Sequence, residues 1–287
     1  MSALAALLPD GRLHLQHGPI DCLCRAWGAP DTVAAAYAQA IAGFGEILPD
    51  LCSELPLLRR PVGPERPCGA VAAAMVAACA PFAGGFITPM AAVAGAVADQ
   101  VLALMTAGRT LERAFVNNGG DIAFHLAPGA LLRVGLVGDL AAPALDGVII
   151  LEHARRARGL ATSGRACKGQ GGRSFSLGIA DAVSVLARDA AAADAAATVI
   201  GNAVDLPGHP GVIRRRASDI DPDSDLGDRL VTWDVIGLSS GDAAAALDAG
   251  RVVADALLSA GLIDGAVLLL GGCFVGCGLA LPALERT

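Results

Sequence analysis

Along the chain, hydrophobic and polar positions switch between strand-like alternation and helix-like spacing, and that switching sets the first map of elements. The opening stretch "GRLHLQHGPIDCLC" alternates well enough for one or two strands. "DTVAAAYAQAIAGFGEIL" follows with its apolar residues spread around a helix and Asp31 placed to cap it. "GAVAAAMVAACA" reads as a second helix ending near Pro81. Thr88 and Pro89 read as the N-cap and first position of a third, "PMAAVAGAVADQVLALM". Strands are expected at 113–117, 121–126, 131–137 and 147–152. A glycine-rich loop is expected over 158–174, and a helix over the alanine-rich "RDAAAADAAATVIGNAV". After an acidic loop, "SDIDPDSDLGD", come the strand "LVTWDVIGL", a helix capped by Ser240 and the closing strands "GAVLLLGG" and "FVGCGLAL". This order of mixed strands and packed helices predicts an α+β fold of layers rather than a regular βαβ alternation, and no linker forces a boundary within a single domain of residues 1–287.

Composition narrows the function classes. The chain has 21 Lys and Arg against 28 Asp and Glu, a net charge of −7, and 3% aromatic residues, which argues against general nucleic-acid binding. Eight cysteines scattered among apolar residues point to a reduced, cytoplasmic protein with buried thiols. Cys22 and Cys24 with Cys273 and Cys277 lack the spacing of a zinc knuckle. Residues 69–98 carry no charge, but Pro81, Gly84, Gly85 and Pro89 divide them into helix, turn and helix. No membrane span and no signal peptide are expected.

Several motifs suggest chemistry. "VNNGGDIAFHL" places Asn117, Asn118, Gly119, Gly120 and Asp121 between two strands, where Asn-Gly suits a tight turn and the acid suits a ligand. The loop "RGLATSGRACKGQGGRS" carries Thr162, Ser163, Gly164, Arg165, Lys168 and Arg173. Its glycines and cations suit an anion, although Gly164 and Gly169 lack the lysine placement of a P-loop. Asp194 and Thr198 share a helix face and offer two hard oxygens to Mg²⁺, which completes its shell with water and phosphate. The acidic loop departs from the EF-hand pattern and reads as a capped turn. The histidines, His125 among them, form no metal pair. Cys68 and Cys167 are the candidate thiol nucleophiles.

Taken in order, "TPMAAVAGAVAD", "NNGGDIAF", "ATSG", "SFSLGIADAVSVLA", "ADAAATVIGNAV" and "DSDLGDRLVTWDV" resemble the ApbE superfamily, best known for FAD:protein FMN transferases, and most closely its uncharacterised UPF branch. The resemblance implies an ApbE-like fold and a flavin- or nucleotide-shaped pocket. It also implies Mg²⁺-dependent transfer of FMN from FAD to a threonine or serine of an acceptor protein. Carried onto this chain, it makes Asp121, Ser163 and Arg173 the candidate catalytic residues. Asn118, Gly119, Gly120, Thr162, Gly164 and Lys168 become the cofactor-binding set, and Asp194 with Thr198 the metal ligands. The chain departs from the transferases in having "RSFSLGIADAV" where they carry a His-Ile-Ile-Asp-Pro segment, and Arg173-Ser174 where the branch carries His-Ser. Those departures keep two alternatives open: a metal-independent reaction such as hydrolysis of a small anionic substrate, and a non-catalytic flavin- or pterin-binding protein. The sequence allows a homo-oligomer without specifying one.

Overall fold

The structure is a computed structural model and describes residues 2–136, 147–164 and 175–278. In chain order its strands and helices are β1 (Leu4–Leu7), β2 (Leu13–His17), β3 (Ile20–Trp27), α1 (Pro30–Leu58), α2 (Ala70–Cys79), α3 (Val93–Thr106), β4 (Arg113–Asn118) and β5 (Asp121–Leu126). They continue as β6 (Leu131–Leu136), β7 (Gly147–Glu152), β8 (Gly159–Ser163), β9 (Ala182–Ala187), α4 (Ala190–Ala203), β10 (Val212–Arg216), α5 (Ala217–Ile220), β11 (Leu230–Val235), α6 (Ser240–Ser259), β12 (Gly265–Leu270) and β13 (Cys273–Cys277). The fold class is α+β, and the chain forms two compact units.

The first unit comprises Met1–Arg133, Ile150–Ala161 and Ala187–Ala195. Its antiparallel sheet runs β1-β2-β3-β4-β5-β8. The opening stretch gives two strands, closed into a hairpin where Gly18 takes a φ of 57°. Strand alternation then sorts the side chains: Cys22, Cys24 and Ala26 of β3 are buried, as are Ala114, Val116 and Asn118 of β4, and the register pairs them face to face. Helices α1 and α3 cover that face and bury Phe44, Leu58 and Met105, while Met75 of α2 is buried against them. Tyr37 of α1 ties the layers together, its hydroxyl accepting from Ala26 N at 3.2 Å and donating to Gly11 O at 3.0 Å.

Three helix boundaries of the first unit differ from the sequence expectation. Ala29, not Asp31, occupies the N-cap of α1; Pro30 starts the helix and Asp31 sits in the first turn, where its charge suits the dipole. The helix also continues through Pro49 and Pro56, because buried Leu51 and Leu58 extend its apolar face. Thr88 precedes a 3₁₀ turn, Pro89–Ala92, and the α-helical spacing begins only at Val93. The stretch Pro89–Thr106 is long and apolar enough to cross a membrane, but here Ala96, Val97, Val101 and Met105 are buried against α1, β4 and β5, the environment of a core helix.

The second unit comprises Val134–Ile149, Thr162–Leu186 and Ala196–Thr287. Here β9, β12 and β13 form an antiparallel sheet packed by α6, while β10 and β11 form a separate two-stranded ribbon. The cap of α6 is Ser239, one residue before the expected Ser240. It accepts from Asp242 N at 3.1 Å while the Asp242 carboxylate accepts from Ser239 N at 2.9 Å, a reciprocal capping box.

Candidate functional site

In the first unit, the Asn-Gly stretch forms a two-residue hairpin loop between β4 and β5, closed by the pair Asn118 and Asp121. The positive angles fall on Gly119 (φ 66°) and Gly120 (φ 110°), the combination a primed turn requires, and Asn118 remains a strand residue. The open space around both glycines shows that backbone conformation, not crowding, demands them. Gly120 N donates to Asn117 Oδ1 at 2.8 Å, so this amide is held by its own turn. Asp121 is buried on the same face as Asn118.

Asn118 reaches inward. Its Nδ2 donates to Ala94 O at 3.1 Å, and its Oδ1 accepts from Asp21 N at 3.4 Å. The neighbouring residue of α3, Gly95, donates its N–H to Asp194 Oδ2 at 3.1 Å. Two residues singled out from distant motifs therefore meet at the first turn of α3. Gly95 permits this approach: a Cβ there would lie 2.2 Å from Ala190 O. Gly159 presses on the same peptide, since a Cβ there would lie 2.1 Å from Ala190 N.

The approach is secured by a carboxylate that the motif reading passed over. Asp99, at the end of the quoted "TPMAAVAGAVAD", accepts from Ala190 N at 3.0 Å and Ala191 N at 2.9 Å. Asp189 Oδ1 takes the next amide, Ala192 N, at 2.7 Å. The first turn of α4 is thus capped by two acids, while Asp194 of α4 accepts from the first turn of α3. Burial pushes the Asp99 carboxyl up to about 6 against the pull of its two amide donors. It pushes Asp194 up to about 7, with Asp99 adding like-charge repulsion and the Gly95 and Ala94 amides opposing.

In the second unit, Thr162 and Ser163 end β8, which corrects the expected loop over 158–174 at residues 159–163. The reason is that Gly159, Leu160 and Ala161 are buried and the first two pair with β5, which their glycine- and serine-rich surroundings concealed. Thr162 Oγ1 shares a hydrogen bond with Ser184 Oγ at 2.8 Å. Ser163 faces α4 beside Gly201, three residues along the helix from Thr198. Gly164 has a φ of 133°, and a Cβ there would lie 2.6 Å from Asp181 O. Asp181, also unnoticed in the sequence, is held by Gly271 N, which donates to its Oδ2 at 2.7 Å.

Lys168 and Arg173, with Arg165 and Cys167, lie outside the described residues. The segment that follows them is pinned: Leu177 N donates to Asn202 Oδ1 at 3.0 Å, and Arg214 bonds Leu177 O and the Asp205 carboxylate. Other motifs resolve into structure. Burial raises the Cys22 and Cys79 thiols far above their ordinary value and lifts Cys24 to about 12, as inert core thiols require. His125 Nε2 contacts Leu111 O at 3.3 Å, a packed histidine. Asp221 Oδ1 accepts from Asp223 N at 3.0 Å, the capped turn expected of the acidic loop. Among the described residues no group of three or more His, Cys, Asp and Glu could hold a metal ion.

Comparison with known proteins places these motifs. A UPF0280 protein of Methanoregula boonei is 35% identical over 156 residues, covering 51% of this chain and 60% of its own. A UPF0280 protein of Methanothrix thermoacetophila is 41% identical over 120 residues, covering 41% and 46%. The chain therefore spans about half the length of the curated relatives it matches. Among solved structures, the flavinyl transferase ApbE of Pseudomonas stutzeri, apo form, superposes with a TM-score of 0.48 at 11% identity, covering 98% of this chain and 95% of that one. Residues 5–276 match the family described as AbpE bacteria, and the chain belongs to that family, an ApbE-like member of the UPF0280 branch.

Proposed function

We propose that the chain is a Mg²⁺-dependent flavin transferase, moving FMN from FAD onto a hydroxyl of an acceptor protein. The acceptor oxygen bonds to the FMN phosphorus, the pyrophosphate bond to AMP breaks, and the hydroxyl proton leaves to solvent or a basic side chain. Family membership and the retained "NNGGD", "ATSG" and "ADAAAT" segments support the reading. The observation that carries it is the setting of Asp194: its carboxylate lies at the first turn of α3, accepting from Gly95 N at 3.1 Å, on the helix that carries Thr198 four residues on, and burial together with the charge of Asp99 raises it. Such a group gains from a cation. Asp194 and Thr198 supply the hard oxygens that Mg²⁺ prefers, and two protein ligands leave room for water and phosphate. These residues fit the ion, which when bound would neutralise charge on the transferred phosphoryl group.

The chain's own groups would divide the remaining tasks. The Gly119-Gly120 turn sets the end of β4 and β5 so that Asp121 is buried beside Asn118, and Asn118 fixes the backbone of Ala94 next to the residue that holds Asp194. Ser163 and Arg173, with Asp121, remain the candidate catalytic groups, and Thr162, Gly164 and Lys168 are assigned to the nucleotide. The test is incubation with FAD, Mg²⁺ and a flavin-acceptor protein. Covalent FMN on the acceptor and equimolar AMP are expected, both lost with EDTA and in Asp194→Ala. Bound FAD with neither AMP nor labelled acceptor would sink the transferase reading in favour of a non-catalytic binder.

A further inference from the structure

We propose that the open face of the first unit's sheet carries a second ligand site, for a small molecule that joins a flat ring to a phosphate, an aryl phosphate by chemical class. The alternation that sends Cys22, Cys24, Ala114 and Val116 toward the helices leaves Arg25, Trp27, Arg113 and Phe115 on the other side of β3 and β4. The register sets them in cross-strand pairs, Arg25 opposite Phe115 and Trp27 opposite Arg113. The Arg25 and Arg113 guanidinium carbons lie 4.9 and 4.3 Å from the centroid of the Trp27 ring, and the Phe115 ring lies 6.0 Å from it.

These four side chains, with Arg12 and Arg133, line a groove of about 460 Å³. That volume suits a small organic ligand. Its electrostatics are unusual for this chain. Four arginines converge on one groove of a protein with a net charge of −7, and among the described residues the one acid in the lining is Asp10. Asp10 is engaged by Arg12, whose Nε donates to Oδ2 at 2.7 Å and whose backbone N donates to Oδ1 at 3.1 Å. Arg113 is positioned by donation to Leu131 O at 3.0 Å. Gathering guanidinium groups around a concave surface costs Coulomb energy that an anion would offset, and their planar forks match phosphate oxygens. The aromatic pair supplies what inorganic phosphate cannot use, a flat surface for a ring. The groove is small, about 460 Å³, which favours a small ligand over a nucleic acid or an extended acidic peptide.

The chain has two tryptophans, Trp27 and Trp233, so its indole N–H resonances form a two-peak reporter, assigned with Trp233→Phe. The whole chain is titrated with 1-naphthyl phosphate, 1-naphthol and inorganic phosphate. The Trp27 peak should move saturably with 1-naphthyl phosphate while the Trp233 peak stays, and each fragment should bind about tenfold more weakly or worse. Arg25→Gln combined with Arg133→Gln should weaken binding about tenfold, and raising KCl should weaken it in the parent chain. Should the double variant fail to fold, the salt dependence decides. No movement of the Trp27 peak, salt-independent affinity, 1-naphthol binding as tightly as its phosphate, or a response only to an oligonucleotide or an acidic peptide each overturns the proposal. None of these residues belongs to the flavin-transfer set, so failure here leaves that reading standing.

Discussion

Glycines from two of the signature motifs look alike in sequence and answer to different constraints in the fold. Gly119 holds a φ of 66° with open space where a Cβ would go, so Gly119→Ala should cost about 1 kcal/mol, the conformational penalty alone. Gly164 combines a φ of 133° with the Asp181–Ala182 backbone pressed against it, its nearest atom the Asp181 carbonyl oxygen. Gly164→Ala must displace β9 or abandon the turn, and a loss of about 3 kcal/mol or more is expected. Urea denaturation of the two variants checks this ranking; equal losses would show that the close approach at Gly164 carries no energy. The motif spacing revealed that glycine matters at both positions. Which physical requirement each one meets was not legible, because a close backbone contact between residues far apart in sequence leaves no local trace.

At the scale of elements, α3 and α4 hold each other by exchanging carboxylates at their first turns. Asp99 receives two amides of α4, and Asp99→Ala leaves both without that partner, for an expected loss of about 2 kcal/mol in chemical denaturation. By comparison, Ser239→Ala removes an exposed cap and should cost about 1 kcal/mol. The Asp99 interaction also titrates. Its folded carboxyl is raised to about 6 from an ordinary 3.8, so between those values the folded state holds more protons than the unfolded one. Stability from this group is then greatest at low pH and declines as pH rises through about 6. Relative to Asp99→Asn, which does not titrate, the parent chain should lose its advantage as pH climbs through that window; a constant gap would refute the assignment. Elements with a clean pattern were readable from sequence: β2 and β3 from alternation, and α4 and α6 from their alanine-rich helical stretches. Others were hidden for physical reasons. All six residues of β9 are buried, so it shows no alternation, β8 starts inside a glycine-rich stretch, and β10 ends in three arginines that resemble a solvated loop.

For the molecule as a whole, the family match over residues 5–276 made the fold class readable from sequence motifs, while the support beneath those motifs was not. The spacing with Thr198 marks Asp194 as a candidate oxygen ligand, the role we propose for it. Its burial beside Asp99, and the amides of α3 that hold it, emerge only from packing. That setting gives the whole protein a measurable response that does not depend on turnover. An ion that binds the folded state and not the unfolded one stabilises it by about 2.7 kcal/mol at a hundredfold excess over Kd. Mg²⁺ added to EDTA-treated protein should therefore raise the denaturation midpoint, and Asp194→Ala should abolish the rise. Protons compete for the same carboxylate. Because burial holds Asp194 up to about 7, the Mg²⁺ response should be weak in acid and grow as pH rises through neutrality, while an exposed carboxylate of ordinary acidity would already respond fully near pH 5.5, about one unit above its usual range. A response that is flat across neutrality, or that persists in Asp194→Ala, would place the ion elsewhere on the protein and remove Asp194 from the metal site.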